Sequence, residues 1–481
     1  MVANIVALSL YAVLIVLIGL KGLRRTSTYS DFLLGGGKIG PWMTAFSYGT
    51  AYFSAVLLIG FAGKLGWGFG LSAMWVAVGN TLIGTLGVWL LLGHRIREAA
   101  QRYGVHTMPE YLEARYSSPF FKGYSALAIF VFFIPYTAAV FMGLSYLFES
   151  TFGINYDLVL LFMGLFTGIY LIMGGYRSIA MIDVIFGIVM TIGVLILLWF
   201  NLQKGGGLPN ITDSLRAIEP KLVSPVGPPG LVPLLSLVFL TSVAPFAMPQ
   251  LLQKFYAIRD RRAVRIGTVA SAVFALLVTG IAYFTGALTR IFLSPSNAPG
   301  AFDNGAPLFD NLIPELLVNV IPEGLTAVIL LLVLSASMST LAALVLVSSS
   351  TVTKDFYNGF IRKNASDRSL TSLGRLSSGF FIVLSIILAW TKPDVIVTIL
   401  SISWGAIASV FLGPFIWGIL SKRMSRTGAI TASLAGLGTC LFLFFTQEAS
   451  RIPQSASTGM IVSLVVPVFF LPFGRKKEKV S

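Results

Sequence analysis

The chain has 481 residues, of which 56% are hydrophobic and only 11% are charged. In an ordinary soluble domain about a quarter of the residues are charged, so this composition excludes that class and predicts an all-α integral membrane protein. The formal net charge of +15 is explained by basic segments facing the cytoplasm and its anionic lipids, so nucleic acid is not needed as a partner.

Apolar stretches long enough to cross a bilayer, or nearly so, predict thirteen transmembrane helices. They lie at residues 2–20, 41–62, 71–92, 124–147, 158–173, 179–200, 231–247, 266–288, 325–347, 376–390, 395–420, 429–445 and 457–472. The first stretch is followed directly by the basic segment "KGLRR", which predicts a retained helix and not a cleaved signal peptide.

Basic residues predict the orientation in the plasma (inner) membrane. If the N-terminus lies outside and the chain crosses thirteen times, all but seven of the 34 Lys and Arg residues fall on one side. The exceptions are Lys64, Lys204, Arg216, Lys221, Arg290, Lys392 and Arg451. By the positive-inside rule, the C-terminus and the loop at residues 254–265 are predicted to be cytoplasmic.

The predicted spans hold few groups that could perform catalysis. Both histidines, His94 and His106, are predicted to lie in one cytoplasmic loop, and the single cysteine, Cys440, is predicted to pack inside a span. Asp183 is the only carboxylate within a predicted span. Because these groups match no familiar catalytic set, we predict that the chain is not an enzyme.

Two predicted spans contain helix-breaking residues at matching positions. Gly49 lies in the second span, and Pro245 and Pro249 interrupt the seventh, five spans later. Interrupted helices at corresponding positions of two halves indicate a midplane binding site in a transporter with inverted repeats. Either break alone is also common in ordinary membrane helices.

The ninth span places two hydroxyls side by side in the segment "LSASMSTLAALVLVSSSTVTKDFY". Ala336, Ser339, Thr340 and Ala343 share one helix face at spacings of three and four residues. A dehydrated small cation is one partner for hydroxyls in hydrocarbon. Bonds back to the preceding turn, or close helix packing, are the alternatives.

At this point the chain resembles the sodium/solute symporter family, which includes sodium-coupled sugar, proline and sialic acid carriers. The resemblance covers nearly the whole length and depends on the order and spacing of these segments: "YSDFLLGGGKIGPWMTAFSYGTAYFSA", "TMPEYLEARY", "GGYRSIAMIDVIFGIVM", "PQLLQKFYAIRDRRAVR", "SMSTLAALVLVSSSTVTKDFY" and "SKRMSRTGAI".

The resemblance implies a LeuT-like fold, a 5+5 inverted repeat with one extra N-terminal and two extra C-terminal helices. On this basis residues 1–40 are the extra helix and a cytoplasmic linker, and residues 41–228 and 229–424 are the two halves of the repeat. Residues 425–481 are then the last two helices and a basic cytoplasmic tail.

The resemblance also implies a sodium site. Its ligands would be the backbone carbonyls of Thr50, Phe53 and Ala336 and the hydroxyls of Ser339 and Thr340, since oxygen ligands suit a hard cation. Asp183 matches a family carboxylate that would support this site. The alternative role for Asp183 is to cap the start of its own helix.

The sequence departs from the family at two places. Members with a second sodium have hydroxyls three and four residues after the first serine, where this chain has Ala342 and Ala343. We therefore expect one coupling ion. The proline carriers have an acidic residue where this chain has Tyr52, so proline specificity does not follow from the resemblance.

The solute pocket is expected between the second, third, seventh and eleventh spans. The candidate lining residues are Tyr52, Ser54, Trp75, Thr241, Phe246 and Trp404. Few polar groups and no buried arginine favour a monocarboxylate or an amino acid over a sugar.

Two other functions of the same fold remain open from the sequence. A non-transporting sensor usually has an appended signalling domain, and we expect none in the nine residues after residue 472. A channel would need a polar or charged pore lining, for which the predicted spans offer too few groups. No obligatory protein partner is evident.

Overall fold

The structure is a computed structural model that describes residues 2–23, 33–34 and 39–472, most of which are helical. In chain order the α-helices are α1 (Val2–Leu23), α2 (Pro41–Tyr52), α3 (Ala62–Phe69), α4 (Met74–Gly79), α5 (Val88–Tyr103), α6 (Met108–Tyr116), α7 (Pro119–Phe152), α8 (Tyr156–Lys204), α9 (Gly207–Ile218), α10 (Leu231–Val243), α11 (Pro249–Tyr256), α12 (Arg261–Phe292), α13 (Phe309–Val320), α14 (Thr326–Ser350), α15 (Asp367–Trp390), α16 (Ile396–Leu420), α17 (Arg426–Thr446) and α18 (Ile452–Phe470).

Shorter segments connect or extend these helices. The π-helical segments are Val56–Phe61, Asn80–Gly87 and Thr351–Ile361, and the 3-10 helices are Gly70–Ala73, Pro220–Val223, Ala244–Ala247, Pro299–Ala301, Glu323–Leu325 and Ala449–Arg451. Two short strands, β1 (Phe302–Asp303) and β2 (Ala306–Pro307), pair antiparallel between α12 and α13.

The helices confirm a multi-pass membrane protein. Within the described ranges, ten helical stretches are long and apolar enough to cross a membrane, and Val6–Gly19 and Tyr156–Ile169 are shorter apolar helices. This number does not by itself confirm the predicted count of thirteen.

One helix, α8, covers the fifth and sixth predicted spans. In its first half Thr167 contacts Met338 of α14, and in its second half Gly193 lies against Leu332 of the same helix. A straight helix would separate Thr167 and Gly193 by about 39 Å, whereas Leu332 and Met338 are only about 9 Å apart along α14. The chain therefore turns back within α8, and its two halves lie side by side.

The third predicted span extends further than the sequence indicates. Leu92 and Ile96 are buried on one face of α5, and the helix ends only at Gly104, which has a φ of 62°. An apolar face at i and i+4 keeps the helix packed beyond the hydrophobic stretch. His94, predicted in a loop, therefore lies in α5, while His106 precedes α6.

Both predicted helix breaks are present, but one is displaced. Gly49 itself is helical; α2 ends at Tyr52, and Phe53 has an extended backbone with φ −110° and ψ 102°. A Cβ at Gly49 would clash with Cδ1 of Phe274, so the glycine permits close packing and does not break the helix. In the seventh span the break lies between α10 and α11, where Pro245 and Pro249 cannot donate backbone hydrogen bonds.

The most enclosed helices surround these breaks. In the most apolar part of the span that includes α14, 89% of the residues are buried, and for α16 the share is 94%, against 33% for α17. The helix with Ser339 and Thr340 thus lies at the centre of the bundle, and α17 lies at its edge.

Candidate sodium and solute site

Thr340 faces the end of α2. Its Oγ1 lies 3.3 Å from the carbonyl oxygens of both Thr50 and Ala51, and 3.2 Å from the carbonyl oxygen of Ala336. The last carbonyls of a helix have no partner within it, and one hydroxyl has a single proton to donate. Acceptor oxygens therefore outnumber donors here, and a cation can satisfy such a set.

Ser339 faces the same helix end. Its Oγ lies 2.8 Å from Oγ1 of Thr50, which also bonds to the Phe46 carbonyl at 2.7 Å. Ser337, by contrast, donates to the Val333 carbonyl of its own helix at 2.7 Å. Ser337 thus bonds back to the preceding turn of its own helix, whereas Ser339 and Thr340 contact α2.

The remaining ligand implied by the resemblance is the carbonyl of Phe53. Phe53 is at the break itself, and its N–H donates to the Gly49 carbonyl at 3.1 Å. The Ala51 carbonyl, next to Thr340, is an additional ligand candidate that the sequence pattern did not single out. It could not have been found without the position at which α2 ends.

Asp183 is fully buried beside these residues. Its Oδ2 accepts a hydrogen bond from Ser47 of α2 at 2.5 Å. Asp183 therefore contacts side chains of other helices, as expected of a supporting carboxylate. It lies well inside α8 and does not cap the start of that helix.

A lysine predicted in a cytoplasmic loop lies beside this carboxylate. Lys254 is in α11, is 1% exposed, and its Nζ lies 3.8 Å from Oδ2 of Asp183. The ammonium also lies 5.1 Å from the centre of the Tyr176 ring. The loop assignment is wrong for this residue because the break before Pro249 allows α11 to continue the span.

A small cavity lies between the two helix breaks. It holds about 30 Å³, and four of the predicted lining residues border it: Tyr52, Ser54, Thr241 and Trp404. The Tyr52 ring stacks on Trp404 with 5.9 Å between ring centres, and its hydroxyl donates to the Thr241 carbonyl at 2.6 Å. Tyr52 therefore connects α2, α10 and α16.

The two remaining predicted residues lie elsewhere. Trp75 is 51% exposed and its Nε1 donates to the Pro225 carbonyl at 3.2 Å. Phe246 is buried against Gly87 and does not border this cavity. A tryptophan or phenylalanine in a span packs equally well against lipid or another helix, so the sequence could not separate these roles.

The cavity is also bordered by residues that were not among the predicted lining residues, and these include Asn80, Tyr136 and Tyr283. Tyr136 meets Trp404 edge to face at 5.8 Å, Asn80 accepts from Ser242 at 3.3 Å, and Tyr283 completes the aromatic wall. Asn80, a polar side chain inside an apolar stretch, was detectable from the sequence.

A sequence profile of the sodium:solute symporter family matches residues 32–436. The chain belongs to this family. It is therefore a membrane transporter that couples movement of a solute to sodium, and it is not an enzyme.

Relatives are similar along their whole length. The osmoregulated proline transporter of Bacillus subtilis is 28% identical, over 99% of this chain and 96% of that protein. The sodium/pantothenate symporter of Escherichia coli is 31% identical, over 90% of this chain and 89% of that protein. Two different solutes at nearly equal similarity leave the solute of this protein open.

A solved structure shows the same fold. A sodium-coupled sialic acid symporter, in a substrate-bound outward-open state, superimposes with a TM-score of 0.82 and 17% identity over 99% of both chains. The LeuT-like arrangement that the sequence implied is thereby confirmed at the level of the fold.

Proposed function

We propose that this protein transports one sodium ion with each molecule of a small, partly apolar solute by alternating access. The observation that carries the proposal is the set of carbonyl oxygens around Thr340, beside the hydroxyl of Ser339. The sodium would be held by the carbonyls of Thr50, Phe53 and Ala336 together with these two hydroxyls, with Ala51 as an additional candidate and Asp183 as the supporting carboxylate.

A single coupling ion is proposed because α14 has no hydroxyl three or four residues after Ser339. Ala342 and Ala343 follow Ser339 by three and four residues, and both are buried without a side-chain oxygen. Beside Ala342 and Ala343, a second cation would find in α14 only backbone groups that already bond within the helix. The site therefore supplies ligands for one ion.

The lining of the cavity favours a monocarboxylate or an amino acid. Tyr52, Tyr136 and Trp404 supply aromatic surface, while Ser54, Thr241 and Asn80 supply a few polar groups. A sugar needs many more hydrogen-bond partners. A volume of about 30 Å³ holds one water molecule, so the aromatic wall must move apart when a solute binds.

The proposed architecture is thirteen crossings with an inverted repeat at residues 41–228 and 229–424. The ten long stretches and the two shorter apolar helices support twelve crossings. Gly70, with a φ of 60°, divides the long stretch Val56–Tyr103 into two, and this supports the thirteenth. The N-terminus would lie outside, and the end of the bundle with Arg97 and Arg261 would face the cytoplasm.

Uptake by purified protein in proteoliposomes tests this function. Labelled monocarboxylates, amino acids and sugars are offered under an inward sodium gradient, and separately under a proton gradient without sodium. We expect uptake of a monocarboxylate or an amino acid with sodium only. Solute binding without uptake would support the sensor, solute-independent sodium flux would support the channel, and uptake driven by protons alone would contradict sodium coupling.

A further inference from the structure

Asp183 and Lys254 form a buried pair of opposite charges. Asp183 is the supporting carboxylate of the proposed sodium site, whereas Lys254 has no role in that site. Both side chains are almost completely buried, and Nζ of Lys254 lies 3.8 Å from Oδ2 of Asp183. Hydrogen-bonded ammonium–carboxylate pairs are shorter, about 2.7–2.9 Å. The ammonium is thus near enough to compensate the carboxylate charge but is not hydrogen bonded to it.

The carboxylate of this pair faces the proposed sodium ligands. Asp183 accepts a hydrogen bond from Ser47, one turn before Thr50 in α2, and Oγ1 of Thr50 lies 2.8 Å from Oγ of Ser339. An ion held by Ser339 and Thr340 would therefore share the field of Asp183 with the ammonium of Lys254. In a buried environment two cations near one carboxylate repel each other strongly, because water does not screen them.

We propose that Lys254 is an internal competitor of sodium, which compensates Asp183 when the ion is absent and lowers the sodium affinity of the carrier. This inference depends on the proposed sodium site. A buried carboxylate without a counter-charge is unfavourable, so Lys254 allows the sodium-free carrier to exist with a neutral site. The same charge favours release of the ion after transport.

The test measures sodium binding directly and not transport. Purified protein is titrated with sodium chloride, with ionic strength held constant by N-methylglucamine chloride, and the sodium-dependent rise in melting temperature gives the half-saturating concentration. We expect Lys254→Met to lower that concentration at least tenfold. Lys254→Arg keeps the charge and should remain close to the wild type.

Lys122→Met is the matched control. Lys122 is a second buried lysine, 8% exposed, and its Nζ lies 2.8 Å from Oε2 of Glu113. Within the described residues, none of the ion pairs joins Lys122 to Asp183. Lys122→Met should leave the half-saturating sodium concentration unchanged. An unchanged or increased half-saturating concentration in Lys254→Met would overturn the proposal.

A second variant decides the question if Lys254→Met does not fold. Lys254→Gln also removes the positive charge, and its amide can donate a hydrogen bond, so the buried carboxylate of Asp183 can keep a polar partner. Lys254→Gln should lower the half-saturating sodium concentration at least tenfold. An unchanged concentration in this variant would refute competition by Lys254.

Failure of this inference can be separated from failure of the proposed site. Ser339→Ala is measured alone and together with Lys254→Met. If Ser339→Ala weakens sodium binding but Lys254→Met does not strengthen it, only the inference about Lys254 is wrong. If Ser339→Ala has no effect in either background, the proposed sodium site is wrong.

Discussion

Three hydroxyls within four residues of α14 have different partners. Ser337 bonds to its own helix, whereas Ser339 and Thr340 reach the end of α2. Residue type does not distinguish them, and spacing alone does not either, since Ser337 and Thr340 are three residues apart and such positions point in similar directions. The sequence singled out Ser339 and Thr340 as adjacent hydroxyls in an apolar span, and the resemblance implied their role as ligands; their contacts with α2 depend on where that helix ends.

Removing either hydroxyl should weaken sodium binding. A hydrogen bond or ligand contact to a charged group contributes roughly 1.5–3 kcal/mol, so Ser339→Ala and Thr340→Ala should each raise the half-saturating sodium concentration about tenfold or more. The measurement is the sodium dependence of uptake and of thermal stability. Ser337→Ala, a buried hydroxyl of the same helix, is the control; if all three variants behave alike, close packing is the role of this face.

Tyr52 should affect the solute more than the ion. Tyr52→Phe keeps the ring against Trp404 but removes the bond to the Thr241 carbonyl, which destabilises the fold by about 1–3 kcal/mol and frees the cavity wall. We expect a higher KM for solute and an unchanged sodium dependence in uptake assays. Tyr48→Phe loses a comparable bond, to the Gly84 carbonyl at 2.9 Å, outside the cavity, and should change stability alone.

At the scale of elements, the connecting helix α13 caps a helix far along the chain. Oδ2 of Asp310 accepts a hydrogen bond from the Ile396 N–H at 3.0 Å, at the start of α16. The first N–H groups of a helix have no partner within it, and a carboxylate there also interacts favourably with the helix dipole. Asp310 thereby holds α13 on α16.

The stability of this contact should depend on pH. Burial raises the pKa of Asp310 to about 7, against the lowering effects of the Ile396 N–H and of Lys64. In the unfolded chain the group loses its proton near pH 4, so its contribution to stability is complete below that pH and is lost as pH rises to about 7. The slope over this window is up to about 1.4 kcal/mol per pH unit.

Asp310→Asn should remove this dependence. The amide oxygen can still accept from Ile396, and it does not ionise, so the variant should melt at a higher temperature than the wild type at pH 8 and differ less at pH 4. Asp303→Asn, an exposed aspartate of the same connection, is the control. Parallel melting curves for Asp310→Asn and wild type across pH 4–8 would contradict the assignment.

For the whole molecule, the number of sodium ions transported with each solute molecule is expected to depend on the residues of one helix face. With Ala342 and Ala343 beside Ser339, we expect about one labelled sodium ion to enter with each labelled solute molecule. Simultaneous flux measurements in proteoliposomes give this ratio directly. A ratio of two would require a second site away from this face.

The orientation can be tested with single cysteines. Cys440 is the only cysteine in the sequence and is buried, so Cys440→Ala provides a background without thiols. A membrane-impermeant thiol reagent added outside should label Asp213→Cys, in α9, and not Arg262→Cys, at the start of α12. The opposite pattern would reverse the topology and place Asp310 on the cytoplasmic side.

The sequence by itself determined the class, the regions of the two helix breaks and the face of α14. Hydrophobic length, the backbone chemistry of Pro245 and Pro249 and the helical period are local properties, so they can be recognised before the chain is folded. Tyr52, Ser54 and Thr241 lie close to the two breaks, whereas Trp404 lies within α16 and was selected because the eleventh span was expected to line the same pocket.

Only the tertiary structure decided which residues meet across helices. Lys254 lies beside Asp183, Asp310 reaches Ile396, and Trp75 lies at the surface, although sequence reasoning had placed Lys254 in a loop and Trp75 at the pocket. Such contacts depend on where each helix ends and how neighbouring helices are rotated. These quantities are set by packing of the whole bundle and have no counterpart in a local pattern.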